Sequence, residues 1–231
     1  MNRSLHLICV ATLLVGSACI RGGTAVSSSV NDKDNIRKPS PTPSTTPEVA
    51  KELSQKDLAQ LAIDSGEKEV KGLYSNYEYG FSVKIPDGLI GIRNPSPYPQ
   101  HGFSIPLSNQ PEAQISVDGS FNAAMYASLS EAAENDLKYL RDDSGEVELL
   151  SRESVKLQNL NAMRISAKYR NKTNSTMMIQ DLIIAIRKNR TPDEPEVIYT
   201  LRLRTPESRY DADKDILTKL VSSWRLMPLG R

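Results

Sequence analysis

Val197-Ile198-Tyr199-Thr200-Leu201-Arg202-Leu203-Arg204 is an unbroken alternation. Val197, Tyr199, Leu201 and Leu203 share one face, and Ile198, Thr200, Arg202 and Arg204 share the other, because successive side chains of a strand point to opposite faces. A turn signal follows at Thr205-Pro206-Glu207, and then a helical pattern with Ala212, Ile216, Leu217, Leu220, Val221 and Trp224 in one broad stripe. Asp211 or Ser208 is the expected cap of that helix. A strand with one apolar face followed by an amphipathic helix implies a sheet with helices packed on it, an α+β domain.

Upstream elements agree. Ser128 to Arg141 predicts a helix. Ser128 and Glu131 have capping-box spacing, and Leu129, Ala132, Ala133, Leu137 and Leu140 form its stripe. Val147–Leu157, broken and polar, reads as an edge or bulged strand. Ala162–Tyr169 alternates, and Met177–Arg187 is apolar enough for a central strand covered on both faces. The short polar connections between them suit an antiparallel meander. Further upstream, Val70–Tyr74 and Phe81–Ile85 read as a hairpin, Leu89–Ile92 as an extended segment, and His101–Leu107 and Gln114–Asp118 as strands. The three prolines of Asn94–Pro99 make that segment a loop. The single α+β domain is therefore expected over 67–227. Residues 48–66 are a weak helix or a linker, in which Ser54-Gln55-Lys56-Asp57 interrupts the apolar spacing.

The first 18 residues carry Arg3, an apolar run from Leu5 to Val15 and small residues to Ala18, the pattern of an export signal. The run is short for a membrane-spanning helix. Cys9 would leave with the signal, and Cys19 would remain as a lone exported cysteine, which cannot form an intramolecular disulfide. Ser17-Ala18-Cys19 resembles a bacterial lipobox, with Gly16 where a leucine is usual. The resemblance implies lipid attachment at Cys19 and a membrane-anchored protein of the bacterial cell envelope. Cleavage after Ala18 or Ala25 to give a secreted or periplasmic protein stays open. Residues 19–47 are rich in Ser, Thr and Pro, have no apolar period and read as a disordered tether. Arg3 is the one charged side chain before Cys19, so of 29 basic residues 28 remain against 28 acidic ones. This balance gives no electrostatic reason to expect nucleic acid as a partner.

Tyr79-Gly80-Phe81, Ile85-Pro86, Val197-Ile198-Tyr199-Thr200-Leu201, Thr205-Pro206, Tyr210, Asp213 and Ser223-Trp224-Arg225-Leu226 resemble the PsbP-like family over about Val70–Leu226. That resemblance implies an α-β-α sandwich. It also implies a non-catalytic helper role, as in the plant members, or a lipid-tethered envelope role, as in bacterial members. These are core and turn residues, which speak to fold rather than to function.

Chemistry-bearing constellations are sparse. His6 lies in the signal, leaving His101, and no set of His, Cys and carboxylates has metal-ligand spacing. His101 and Ser104 on one strand would face opposite ways, which excludes a Ser–His couple. Asp211, Asp213 and Asp215 lack the glycine of a calcium loop and suit a helix start. Asn171, Asn174 and Asn189 match glycosylation acceptors, a signal with little content in bacteria. No cofactor is expected and no enzyme is implied. The candidate protein contacts are Tyr77 and Tyr98 beside the proline loop, His101, and Arg202 and Arg204 on the polar face of the final strand, because Tyr and Arg are favoured at interfaces. Arg187, Lys188, Arg190 and Arg209 extend a basic stretch whose bland reading is a rim paired with Asp193, Glu194 and Glu196. The expected function is a tethered protein that binds or assists a protein partner. A hydrolase with unrecognised residues and a small-ligand carrier are the alternatives.

Overall fold

The computed structural model describes residues 52–110, 112–189, 191 and 194–230. The signal over 1–18, Cys19, the 19–47 tether, Arg190 and Asp193 lie outside the described residues. In chain order the elements are α1 (Gln55–Asp64), β1 (Glu69–Val70), β2 (Leu73–Asn76), β3 (Phe81–Lys84), β4 (Gly91–Arg93), β5 (Gly102–Asn109), β6 (Glu112–Phe121) and α2 (Leu129–Ser144). Then come β7 (Val147–Leu157), β8 (Leu160–Arg170), β9 (Met177–Arg187), β10 (Val197–Pro206), a 3-10 turn (Glu207–Arg209), α3 (Tyr210–Ser223) and β11 (Arg225–Leu226). Among the described residues, eight strands form an antiparallel sheet in the order β1-β4-β5-β6-β10-β9-β8-β7, and β11-β3-β2 form a small second sheet.

Strand β10 lies inside the main sheet, between β6 and β9. Its face of Val197, Tyr199, Leu201 and Leu203 is fully buried at 0% exposure. It packs with Leu217 and Leu220 of α3, Trp224 just beyond, and Phe81 and Val83 of the small sheet. Each large apolar side chain buried there contributes about 1.5–3 kcal/mol before entropy. The opposite face is covered in part. Helix α2 lies over β7, β8 and β9, where Ala133, Leu137 and Leu140 meet Ile165, Ala167 and Met178. Helix α1 lies over β4 and β5 on the same side, at the other end of the sheet. The result is the α-β-α sandwich expected from the sequence, an antiparallel sheet with helices on both faces.

Several local expectations are corrected. Val70 and Tyr74 do not share a strand. Val70 pairs with Gly91 in the main sheet and Tyr74 with Val83 in the small one. Between them Gly72 takes φ +64° and turns the chain from one sheet to the other. Ser54 and Asp57 do not interrupt a helix but start one. The Ser54 side chain accepts from the Asp57 backbone N–H, and Asp57 accepts from the Ser54 N–H in return. At α2 the Ser128 Oγ accepts from Glu131 N–H at 3.1 Å, while Glu131 Oε2 takes the N–H of Ala127, one residue earlier than the usual box. β10 continues through Pro206, so the break falls at Glu207. The N-cap of α3 is Arg209, without a side-chain cap bond, rather than Asp211 or Ser208. Ala212 is exposed and Asp213 is buried in its place, because Asp213 accepts from the Thr205 hydroxyl at 2.5 Å.

Candidate functional site

Helices α1 and α2 cover the two ends of one sheet face and leave the middle bare. The band left between them is the outward face of β6 and β10, together with the face of β5 that α1 overhangs. Ser104 and Pro106, Gln114, Ser116 and Asp118, and Thr200, Arg202 and Arg204 are all half-buried there, while their strand neighbours Ile105, Ile115, Val117, Leu201 and Leu203 are buried below. Register aligns them in rows. Arg204 sits opposite Gln114, Arg202 opposite Ser116, and Thr200 opposite Asp118, with Pro106 and Ser104 completing the first two rows. Apart from Pro106 every side chain in the band is polar, so it can face water on an antiparallel sheet without penalty.

Hydrogen bonds organise the band from the α2 side. Asp136 of α2 accepts from Arg202 Nη2 on one oxygen and from Gln180 Nε2, at 2.7 Å, on the other. Gln180 in turn accepts from Arg204 Nε at 2.9 Å. Arg202 is thereby neutralised, and its Nε–H is buried without a partner among the described residues. At the other end Asn94 Nδ2 donates to Asp118 Oδ1 at 2.5 Å. Burial raises the Asp118 carboxyl above the ordinary aspartate range, against the opposing pull of Asn94, Arg202, Ser116 and His101.

His101 adjoins that end. Its ring stacks on Tyr98 at 4.8 Å and meets Tyr79 edge-on at 5.4 Å. It precedes β5, and its carbonyl accepts from Gly119 N–H at 2.8 Å, while Ser104 faces the band. Tyr98 is exposed (57%) and so is Tyr77 (67%), but no ring contact joins them among the described residues. Tyr77 belongs to the turn between β2 and β3, which Asn76 fastens to the proline loop by donating to the Gln100 carbonyl at 2.7 Å. Arg202 and Arg204 thus lie in the band, whereas His101, opposite Gly119 and packed on Tyr79, turns to the other sheet face with Tyr98 stacked on it, and Tyr77 lies in the turn before β3. Three other basic residues of that stretch are paired among the described residues. Arg187 meets Glu194 at 2.8 Å, Lys188 meets Glu196 at 3.1 Å, and Arg209 meets Glu52 at 2.9 Å and Asp213 at 3.3 Å.

Two cavities open from the band and share Glu112 and Gln114. One, of about 360 Å³, runs under Leu58 and Ala62 of α1. The other, of about 180 Å³, lies beside Arg204, Tyr169 and the β8–β9 turn. Among the described residues no three His, Cys, Asp or Glu side chains form a metal-holding group. No described helix is long and apolar enough to cross a membrane. On the opposite face, the space between the sheet and α3 is filled by Phe81, Phe103, Tyr199 and Trp224, all fully buried.

Arg202 and Arg204 stand out in the sequence, whereas Asp136, Gln180, Gln114 and Asp118 do not. The alternation of Gln114, Ser116 and Asp118 against Ile115 and Val117 was the available signal. It becomes a surface only once β6 is known to pair with β10.

No protein-family model and no curated protein sequence matches this chain. Solved structures do. LpqN, involved in cell envelope biogenesis of Mycobacterium tuberculosis, aligns with a TM-score of 0.52 and 11% identity, over 76% of this chain and 98% of LpqN. The cyanobacterial PsbP (CyanoP) of Synechocystis sp. PCC 6803 aligns at 0.47 and 17% identity, over 68% and 94%. The Ran-binding protein Mog1p of Saccharomyces cerevisiae aligns at 0.44 and 16% identity, over 71% and 96%. At 11% identity the likeness to LpqN is one of fold.

Proposed function

We propose that this chain is an exported, non-catalytic protein of the cell envelope, tethered through a lipid on Cys19, that binds a protein partner through the polar band between α1 and α2. The observation that carries this reading is the band itself. Each flank of that face is covered by a helix, and the middle presents ordered donors and acceptors to solvent, a form suited to recognition. Exposed Tyr98, on the proline loop whose Asn94 bonds Asp118, and exposed Tyr77, in the turn fastened to that loop, offer aromatic side chains of the kind interfaces favour. Arg202 and Arg204 supply the charge. The envelope setting rests on the export pattern and on Cys19 directly after it, and it is the setting described for LpqN, whose fold this chain shares.

Two measurements test the reading. Mass spectrometry of the mature protein should find a chain beginning at an acylated Cys19; an unmodified Cys19, or a start beyond it, removes the tether. Affinity capture from solubilised membranes should retain a partner on the wild-type chain and lose it when Gln114 and Arg204 are both changed to Glu. Equal capture by both proteins removes the band from the account.

A further inference from the structure

Arg204 is held in place yet makes no ion pair among the described residues. Its Nε–H donates to Gln180, and Gln180 donates to Asp136, whose second oxygen is taken by Arg202. That relay holds the guanidinium by its Nε edge. No other bond engages Arg204 among the described residues, and no carboxylate there lies within ion-pair distance of it, whereas Arg202 on the same face has Asp136. The two terminal nitrogens of Arg204 therefore remain as a planar fork, the shape that matches a carboxylate through two parallel hydrogen bonds.

The surroundings narrow the ligand. Arg204 lines a cavity of about 180 Å³ whose other walls include Tyr169, Met178 and Lys172. At roughly 30 Å³ per water, that space equals about six waters, room for one carboxylate on a short carbon stem. Lys172 brings a second cation, its Nζ hydrogen-bonded to the Asp142 carbonyl at 3.3 Å. Glu112 and Asp143 also border the cavity and balance its two cations, so its net charge gives no added attraction for a multiply charged anion such as phosphate over a single carboxylate.

We propose that Arg204 and this cavity form a recognition site for one carboxylate carried by a partner, either an acidic side chain or a free chain end. The proposal rests on the reading of the band as a contact surface, and it deepens that reading by naming the chemistry of the partner at one point.

The test is a nuclear magnetic resonance titration of the full chain with acetate, with acetamide as the neutral isostere and chloride at matched ionic strength as the control. Acetate should give saturable shifts at Arg204, Gln180 and Lys172, with affinity at least about tenfold above acetamide, the scale of a charge-assisted bond. Arg204→Gln should lose about tenfold or more, and so should Arg204→Lys, which keeps the charge but loses the fork. Lys172→Gln, on an exposed turn, should weaken acetate a few-fold. Amide shifts remote from the cavity report whether each variant remains folded. N-acetyl-glutamate amide binding more tightly than N-acetyl-alanine assigns an acidic side chain as the ligand, and the reverse order assigns a chain end. Acetate shifts no larger than those of chloride, or unchanged titration of Arg204→Gln, overturn the site. Because small carboxylates replace the cellular partner, loss of this site leaves capture by the rest of the band standing. A failed capture likewise leaves the acetate result intact.

Discussion

The Tyr199 hydroxyl donates to the Tyr79 carbonyl at 2.7 Å, joining β10 to the turn before β3 across 120 residues of chain. Tyr199 also meets Phe81 and Trp224 edge-on, at 5.8 and 5.0 Å, so one side chain links the main sheet, the small sheet and the end of α3. Tyr199→Phe keeps the ring contacts and leaves the Tyr79 carbonyl without this donor. The expected loss is about 1–2 kcal/mol in urea unfolding. Burial pushes the phenols of Tyr199 and Tyr79 up to about 12. An unfolded tyrosine loses its proton near 10, so between about 10 and 12 the folded chain holds more protons and stability falls as pH rises. Tyr199→Phe should flatten that alkaline decline.

Trp224 is fully buried, stacked on Phe81 at 6.2 Å, and its Nε1–H has no partner among the described residues. Trp224→Ala should cost about 3–5 kcal/mol, the range for emptying an aromatic site. Trp224→Phe removes the unpaired N–H together with part of the ring, and should cost only about 1–2 kcal/mol. Denaturant midpoints at constant m-value measure both.

Asp181 is fully buried and accepts from Arg164 Nε at 2.9 Å, from Arg164 Nη2 at 2.6 Å and from the Tyr210 hydroxyl at 2.9 Å. This cluster fastens the start of α3 to β8 and β9. Asp181→Asn should destabilise by about 3 kcal/mol, the low end for a broken buried pair, because the Arg164 side chain keeps some water (31% exposed). Replacing both partners, as Arg164→Met with Asp181→Leu, should recover part of that loss, and a double-mutant cycle reads it.

Asp118 carries a pH prediction with the opposite sign from the usual carboxylate. Its folded-state pKa is raised by burial, whereas an unfolded aspartate titrates near 3.9. In the window above the unfolded value the folded chain holds more protons, so this group lowers stability as pH rises, and the deficit persists at neutral pH. Asp118→Asn, which can still accept from Asn94, should be more stable than wild type at pH 7. That advantage should disappear near pH 3.

The sheet and the long helices were legible because their apolar periods are strong. The final strand alternates without a fault, and the α2 stripe begins at a recognisable cap. Local starts and stops were less legible. Asp213 is the helix-start acid its position suggests, but its burial makes sense only once Thr205 is seen to donate to it from the end of β10. Gly72 looks like any glycine until the chain is seen to change sheets there. The candidate site was half legible for the same reason. Arg202 and Arg204 stand out on their strand, but Asp136 separates their roles from a helix distant in sequence, by neutralising the first and, through Gln180, orienting the second.

The band between α1 and α2 is proposed as the surface through which this protein meets its partner. A photo-crosslinking residue placed at Glu112 or at Gln114, compared in cells with one at Lys219 on the exposed side of α3, tests it directly. The two band positions should give one common adduct, abolished by Arg204→Glu and absent from the Lys219 position. An adduct that forms at Lys219 but not at the band, or one that persists unchanged with Arg204→Glu, would contradict it.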